Sequence, residues 1–154
     1  MISSKFKNDS SKSPGFLFIR AYNNWYTQIQ KALRPINLTH PQFIILTVTA
    51  YLQNRGENPT QKMIADHSAI DVMTTSQILK LLEKKQYIQR KQHPTDTRAK
   101  IILLLDAGQK KVNQALPLIE NIDDIYFGVL QSDATCFMDS LQKLCSFRFG
   151  DNES

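Results

Sequence analysis

Two capping positions, Thr60 and Asp71, constrain this chain more than any other feature. Thr60 precedes a short apolar run, Gln61–Asp66, with Met63, Ile64 and Ala65 inside it; Asp71 precedes a longer one, Val72 to Lys85. A hydroxyl or carboxylate just ahead of a periodic apolar run marks a helix start, because its oxygen accepts one of the unpaired first-turn N–H groups. Only "HSAI" separates the two runs, so they read as a helix-turn-helix. A third helix comes before them. Thr39 caps it, Pro41 sits in its first turn, and it runs through Phe43–Leu52 to stop before Asn54–Gly56. "NPT" is a short extended link.

Behind this trio the period changes from helix to strand. Tyr87–Lys91 and Ala99–Leu105 read as two strands joined by the polar loop His93–Thr97. A hairpin directly behind a helix-turn-helix is a wing. The flanks are helical. In Phe16–Leu33, residues Phe16, Ile19, Tyr22, Tyr26, Ile29 and Leu33 form one stripe, and Pro35 ends it. Asp106 is placed to cap a long helix starting at Ala107–Gly108, whose interior Pro117 should kink it. "QSDA" separates a last helix on which Phe137, Leu141, Leu144 and Arg148 share a side.

The fold class is therefore mainly α with a small β-wing. Residues 1–14 read as a disordered lead-in and 15–148 as one domain, with the winged helix-turn-helix at about 38–106. The end helices, 15–35 and 107–148, carry more apolar surface than the lobe between them can cover. They are expected to pair with a second copy as dimerisation helices, since a symmetric pair is the commonest way to bury such a face.

Net charge is +5, unevenly spread: residues 60–100 carry eight basic and four acidic side chains, residues 101–154 four basic and eight acidic. A basic middle suggests a polyanionic partner. No apolar run approaches the ~20 residues of a membrane span. The polar start "MISSKFKNDSSKSPG" lacks the apolar core of a secretory signal, so the expected compartment is the cytoplasm. Cys136 and Cys145 with three scattered histidines share no ligand spacing, so neither a metal nor a cofactor is expected. His67 lies beside Asp66 and Ser68, but sequence neighbours do not make a triad, and neither a nucleophile motif nor a Gly-rich phosphate loop is present. Enzymatic activity is not expected.

At 100° per residue, Thr75, Ile78, Leu79 and Leu82 of Val72–Lys85 fall on the core side. The outer side carries Met73, Gln77, Lys80 and Lys84, flanked by Thr74 and Ser76, with no carboxylate at its centre. This chemistry suits a DNA major groove: Gln pairs with adenine, Ser and Thr serve several bases, Met packs on a thymine methyl, and Lys reaches phosphates.

Together "LTHPQFIIL" (Leu38–Leu46), "TQKMIADHSAIDVMTTSQILKLLEKKQYIQRK" (Thr60–Lys91), "DTR" (Asp96–Arg98) and "LLLDAGQK" (Leu103–Lys110) resemble the MarR family of winged-helix transcriptional regulators over roughly residues 16–130. The resemblance implies a triangular dimer with interleaved terminal helices at its apex and two DNA-binding lobes at its base. It implies that double-stranded DNA is bound at an inverted-repeat operator, Val72–Lys85 entering the major groove and the wing 92–100 the minor groove. The wing set is Arg90, His93, Asp96, Arg98 and Lys100. Arg98 would reach into the groove and Asp96 would hold it; residues two apart on a strand share a face, and a narrow minor groove attracts Arg. Without that context, Asp96 and Arg98 are an ordinary surface ion pair.

The resemblance also implies a small aromatic or phenolic effector between apex and lobes, with Trp25, His40 and Tyr51 as lining candidates; helically spaced aromatics are otherwise core. The chain departs from the family pattern at Gln86, where a glycine often ends the helix, at Asp106, where Thr is common, and at Gln77, where an Arg is common. The last departure bears on the operator sequence. A dimeric repressor is the first reading. Two others compete: a thiol redox regulator of the same fold, and a winged-helix adaptor that has left DNA. Cys136 and Cys145, nine residues apart, would lie about 13 Å apart on one helix, so only an intersubunit disulfide is open to them. Otherwise they are buried structural thiols.

Overall fold

A computed structural model describes residues 6, 10–93, 95–96 and 99–148. The helices are α1 (Pro14–Leu33), α2 (His40–Asn54), α3 (Gln61–Ser68), α4 (Val72–Lys84), α5 (Asp106–Gly128) and α6 (Ala134–Ser146). Strands β1 (Ile88–Gln92) and β2 (Lys100–Leu104) form one antiparallel ribbon. Among the described residues, no helix is long and apolar enough to cross a membrane. The chain forms two compact units, Met1–Ile119 and Glu120–Ser154. Of the lead-in, residues 1–5 and 7–9 lie outside the described residues; Ser10–Lys12 makes a 3-10 turn, and α1 begins at Pro14, earlier than the apolar stripe.

The starts of α2, α3 and α4 follow from their caps. Thr39 and Gln42 form a reciprocal capping box: Gln42 N–H donates to Thr39 Oγ1 (3.4 Å) and Thr39 N–H to Gln42 Oε1 (3.3 Å). Thr60 Oγ1 accepts from Met63 N–H (3.3 Å) and Asp71 Oδ1 from Thr74 N–H (2.9 Å). Three exits share one device. After α1, after α2 and after α4 the chain turns through a left-handed residue, Asn37 (φ 58°), Gly56 (φ 77°) and Gln86 (φ 58°). In each case that residue and the next donate back to the closing turn. Gln86 N–H bonds Glu83 O (2.9 Å) and Tyr87 N–H bonds Leu82 O (3.0 Å). Gln86 thus occupies a place where glycine is the low-strain choice.

The core of the first unit gathers Ile29 and Leu33 of α1; Ile45, Leu46 and Leu52 of α2; Ile64 of α3; Leu79 and Leu82 of α4; Ile88 and Ile102 of the ribbon; and Val112 and Ala115 of α5. The ribbon register pairs Ile88 with Leu104 and Arg90 with Ile102. β1 keeps its expected length but is shifted by one residue, β2 is shorter than its sequence run by one residue at each end, and Tyr87 belongs to the helix exit. Pro59–Thr60, expected as a plain link, adds a short third pairing. Thr60 bridges Ile101, and Ile102 N–H donates to Pro59 O (2.7 Å). The outward Leu104 N–H is taken by Gln53 Oε1 (3.0 Å).

α5 starts at its expected cap, one residue earlier than anticipated: Gln109 N–H bonds Leu105 O (2.9 Å), so Asp106 lies inside the first turn, where a carboxylate suits the helix dipole. Gly108 is buried there against the wing base, and α5 continues through Pro117. In the second unit, Phe127 lies 6.0 Å from Phe137 and 5.2 Å from Tyr126, ring centre to centre. Among its described residues, none is buried.

Candidate nucleic-acid interface

The outer face of α4 is built by its inner one. Thr75, Ile78, Leu79 and Leu82 are buried, as the 3.6-residue period requires, and this turns Met73, Thr74, Gln77, Lys80 and Lys84 to solvent, with Ser76 half-buried at the margin. Met73 is 75% exposed. Asp71 caps the start of this helix, and the bonds from Thr74 hold its carboxyl below the usual range.

The wing is less uniform than its sequence suggests. Lys100 and Asp96 are exposed, whereas Arg98, with Pro94 and Thr97, lies outside the described residues. The expected Asp96–Arg98 arrangement therefore has no geometry to report. His93 is turned inward on its own loop: its Nδ1 accepts from Asp96 N–H (3.1 Å) and Thr95 N–H (3.3 Å). Arg90 is engaged too. Its Nε (2.9 Å) and an Nη (2.7 Å) meet Glu83 Oε2, and its backbone N–H meets Glu83 Oε1 (3.3 Å). Arg90, expected as a DNA contact, is paired here with Glu83 near the end of α4. Glu83 was not among the expected site residues. Its carboxyl is held below the usual range, first by the hydrogen bond from Arg90 and secondarily by the charges of Arg90 and Lys100.

Of the aromatic candidates, Trp25 and His40 come together edge to face (5.3 Å), and Tyr26 joins them on the His40 ring (5.4 Å). Tyr51 does not. It sits eleven residues along α2 from His40, about 16 Å away, exposed under Arg55. Beside His40 a cleft of about 540 Å³ opens between the end of α1, the link to α2 and Lys85. Lys31, Arg34, His40 and Lys85 line it, and none of its lining residues is acidic. Lys85 Nζ donates to Asn37 O (3.0 Å) and Gln42 Oε1 (3.3 Å), which ties the end of α4 to that link. Sequence reasoning found His40 but not Lys31 and Arg34 at the end of α1, nor Lys85, which lies far along the chain from them.

Cys136 and Cys145 are both exposed on α6 in the single chain, against the expectation of buried thiols. No cluster of metal-ligating side chains occurs among the described residues.

A basic outward helix, second of a helix-turn-helix and followed by a two-stranded ribbon, defines a winged helix-turn-helix protein. The profile of the MarR family matches residues 38–100. Over 141 residues the chain is 38% identical to a Bacillus subtilis protein named an uncharacterized HTH-type transcriptional regulator, YdcH, with 92% of this chain and 95% of that one covered. The chain belongs to the MarR family, and its relatives and structural neighbours are transcriptional regulators rather than enzymes. Its fold is similar to Bordetella bronchiseptica BpsR, from work on the regulation of that protein's DNA binding by 6-hydroxynicotinic acid (TM-score 0.80, 23% identity, 90% of this chain and 97% of that one). It is similar also to a variant of Escherichia coli MarR complexed with operator DNA (TM-score 0.77, 18% identity, 94% and 100% covered).

Proposed function

We propose that this chain is a cytoplasmic, homodimeric repressor that binds an inverted-repeat operator and is released by a small-molecule effector. The observation that carries the reading is the outer face of α4, solvent-facing at Met73, Thr74, Gln77, Lys80 and Lys84, free of carboxylates at its centre and set beside a wing. Met73, Thr74, Ser76 and Gln77 would read base edges in the major groove, and Lys80 and Lys84 would contact phosphates. His93 and Asp96 would shape the wing turn, while Arg98 and Lys100 would meet the adjacent minor groove. Dimerisation is supported by exposed apolar side chains on both terminal segments: Phe16, Phe18 and Ile19 on α1, and Val129, Leu144 and Phe147 near the C-terminus.

The effector would enter the cleft beside Trp25 and His40. Its volume suits a small organic molecule, and its cationic lining favours an aromatic anion over a neutral phenol. For BpsR, the ligand named is likewise an aromatic acid. An effector acts only through unequal affinity for the DNA-competent and DNA-incompetent states. The exposure of both cysteines favours thiol control as a second reading; peroxide treatment followed by non-reducing mass spectrometry tests it, and neither crosslink nor sulfenate would end it.

The deciding experiment for the main reading is selection from random 30-base-pair duplexes. Enrichment of an inverted repeat with half-sites about one helical turn apart supports it. Weak, salt-sensitive binding to every duplex would leave either a ligand-bound, DNA-incompetent state or the adaptor reading.

A further inference from the structure

We infer that Glu83 is a positioning residue for DNA binding: through Arg90 it locks the wing to the last turn of the recognition helix, so that the two elements meet DNA as one body. The inference rests on the DNA-binding reading above and concerns how its two elements are held.

The geometry is local and complete. In an antiparallel ribbon, facing residues alternate between pairs that exchange hydrogen bonds and pairs that do not. Tyr87 O accepts from Leu105 N–H and Ala99 O from His93 N–H, so the Arg90–Ile102 pair between them is of the second kind. The N–H of Arg90 therefore points away from β2. Glu83 Oε1 takes it, while Glu83 Oε2 takes Nε and an Nη of the same residue. One carboxylate thus fixes both the backbone and the side chain of Arg90, with charge-assisted bonds in the Arg–carboxylate arrangement that carries most geometric specificity. The Arg90 side chain is only 19% exposed, so its guanidinium has little to offer a phosphate. β2 is secured on its other edge by Pro59 and Gln53. β1 is secured by Glu83.

β1 runs on two residues, ~7 Å, past Arg90 to Gln92, and the loop follows. A small rotation at Arg90 is magnified at the tip, where the minor-groove contact must be placed while α4 occupies the major groove. A wing ordered before contact loses less entropy on binding than one ordered by it.

The test uses the full chain and the operator recovered by selection. Glu83→Ala should weaken operator binding about tenfold, the cost of ordering one or two freed side chains. Hydroxyl-radical footprinting should show loss of minor-groove protection at the wing with recognition-helix protection retained. Arg98→Ala should weaken binding of the parent protein but add little in the Glu83→Ala background. Glu83→Gln keeps an acceptor for the Arg90 N–H without the charge and should recover part of the loss. Unchanged affinity and wing protection would overturn the inference. So would protection lost equally in both grooves, which is what a merely destabilised lobe would give. If the parent protein selects no operator, the DNA-binding reading fails first. Amide exchange at Arg90 then judges the lock: faster exchange in Glu83→Ala with the rest of β1 unchanged supports it, and equal rates refute it.

Discussion

Gly108 sits where α5 meets the base of the wing with no room for a side chain. A Cβ there would run into the carbonyl of Tyr87 and stand 2.8 Å from Leu104 Cδ1. Tyr87 O already accepts the Leu105 N–H (3.0 Å), so it cannot yield without opening the ribbon. Gly108→Ala should therefore destabilise the lobe by ~1–3 kcal/mol, the usual cost of overpacking, measured by urea denaturation. Glu83 and Asp71 contribute an acid dependence to stability. Both are held below their ordinary values of 4.5 and 3.8 in the folded state, Glu83 first by Arg90 and Asp71 first by Thr74. A depressed folded pKa adds stability that is present above the ordinary value and lost as pH falls through the folded one. Stability should thus decline from about pH 5 downward, and Glu83→Gln should make that decline shallower. A thermal-melt series at several pH values checks it; parallel curves for parent and variant would contradict it.

The elements differ in how much of them could be read beforehand. The buried face of α4, Thr75, Ile78, Leu79 and Leu82, was legible because a helix of regular period has only one way to hide those four positions. The caps at Thr39, Thr60 and Asp71 were legible for the same local reason. The left-handed exit at Gln86 was expected from where glycine is common in the family. The brace between Glu83 and Arg90 was not legible. Seven residues separate them across a helix end, a reversed turn and a strand, and only the turn geometry points one at the other. The cationic cleft was hidden for a stronger reason, since Lys31 and Lys85 are more than fifty residues apart in the chain. At this scale Lys80→Ala should lower the salt slope of operator binding by about 1, the signature of one phosphate contact. Gln77→Ala should instead relax base preference at one position by ~1–3 kcal/mol. Swapped outcomes in a salt titration and a repeat selection would exchange their roles.

For the molecule as a whole, the second unit shows no buried residue among those described, whereas the first has a continuous core. A helical segment that hides nothing by itself is stable through what it meets, and the dimer reading supplies a partner. Sedimentation should give about twice 17.7 kDa. Val129→Glu combined with Leu144→Glu, at positions 77% and 66% exposed in the single chain, should shift it toward monomer. No shift would place the interface elsewhere. The closed edges of the wing ribbon matter in concentrated solution. The outward N–H groups of Arg90, Ile102 and Leu104 are all engaged within the chain. A neighbouring polypeptide finds these three donors already taken, so the same bonds that aim the wing also hinder strand-by-strand extension of the sheet.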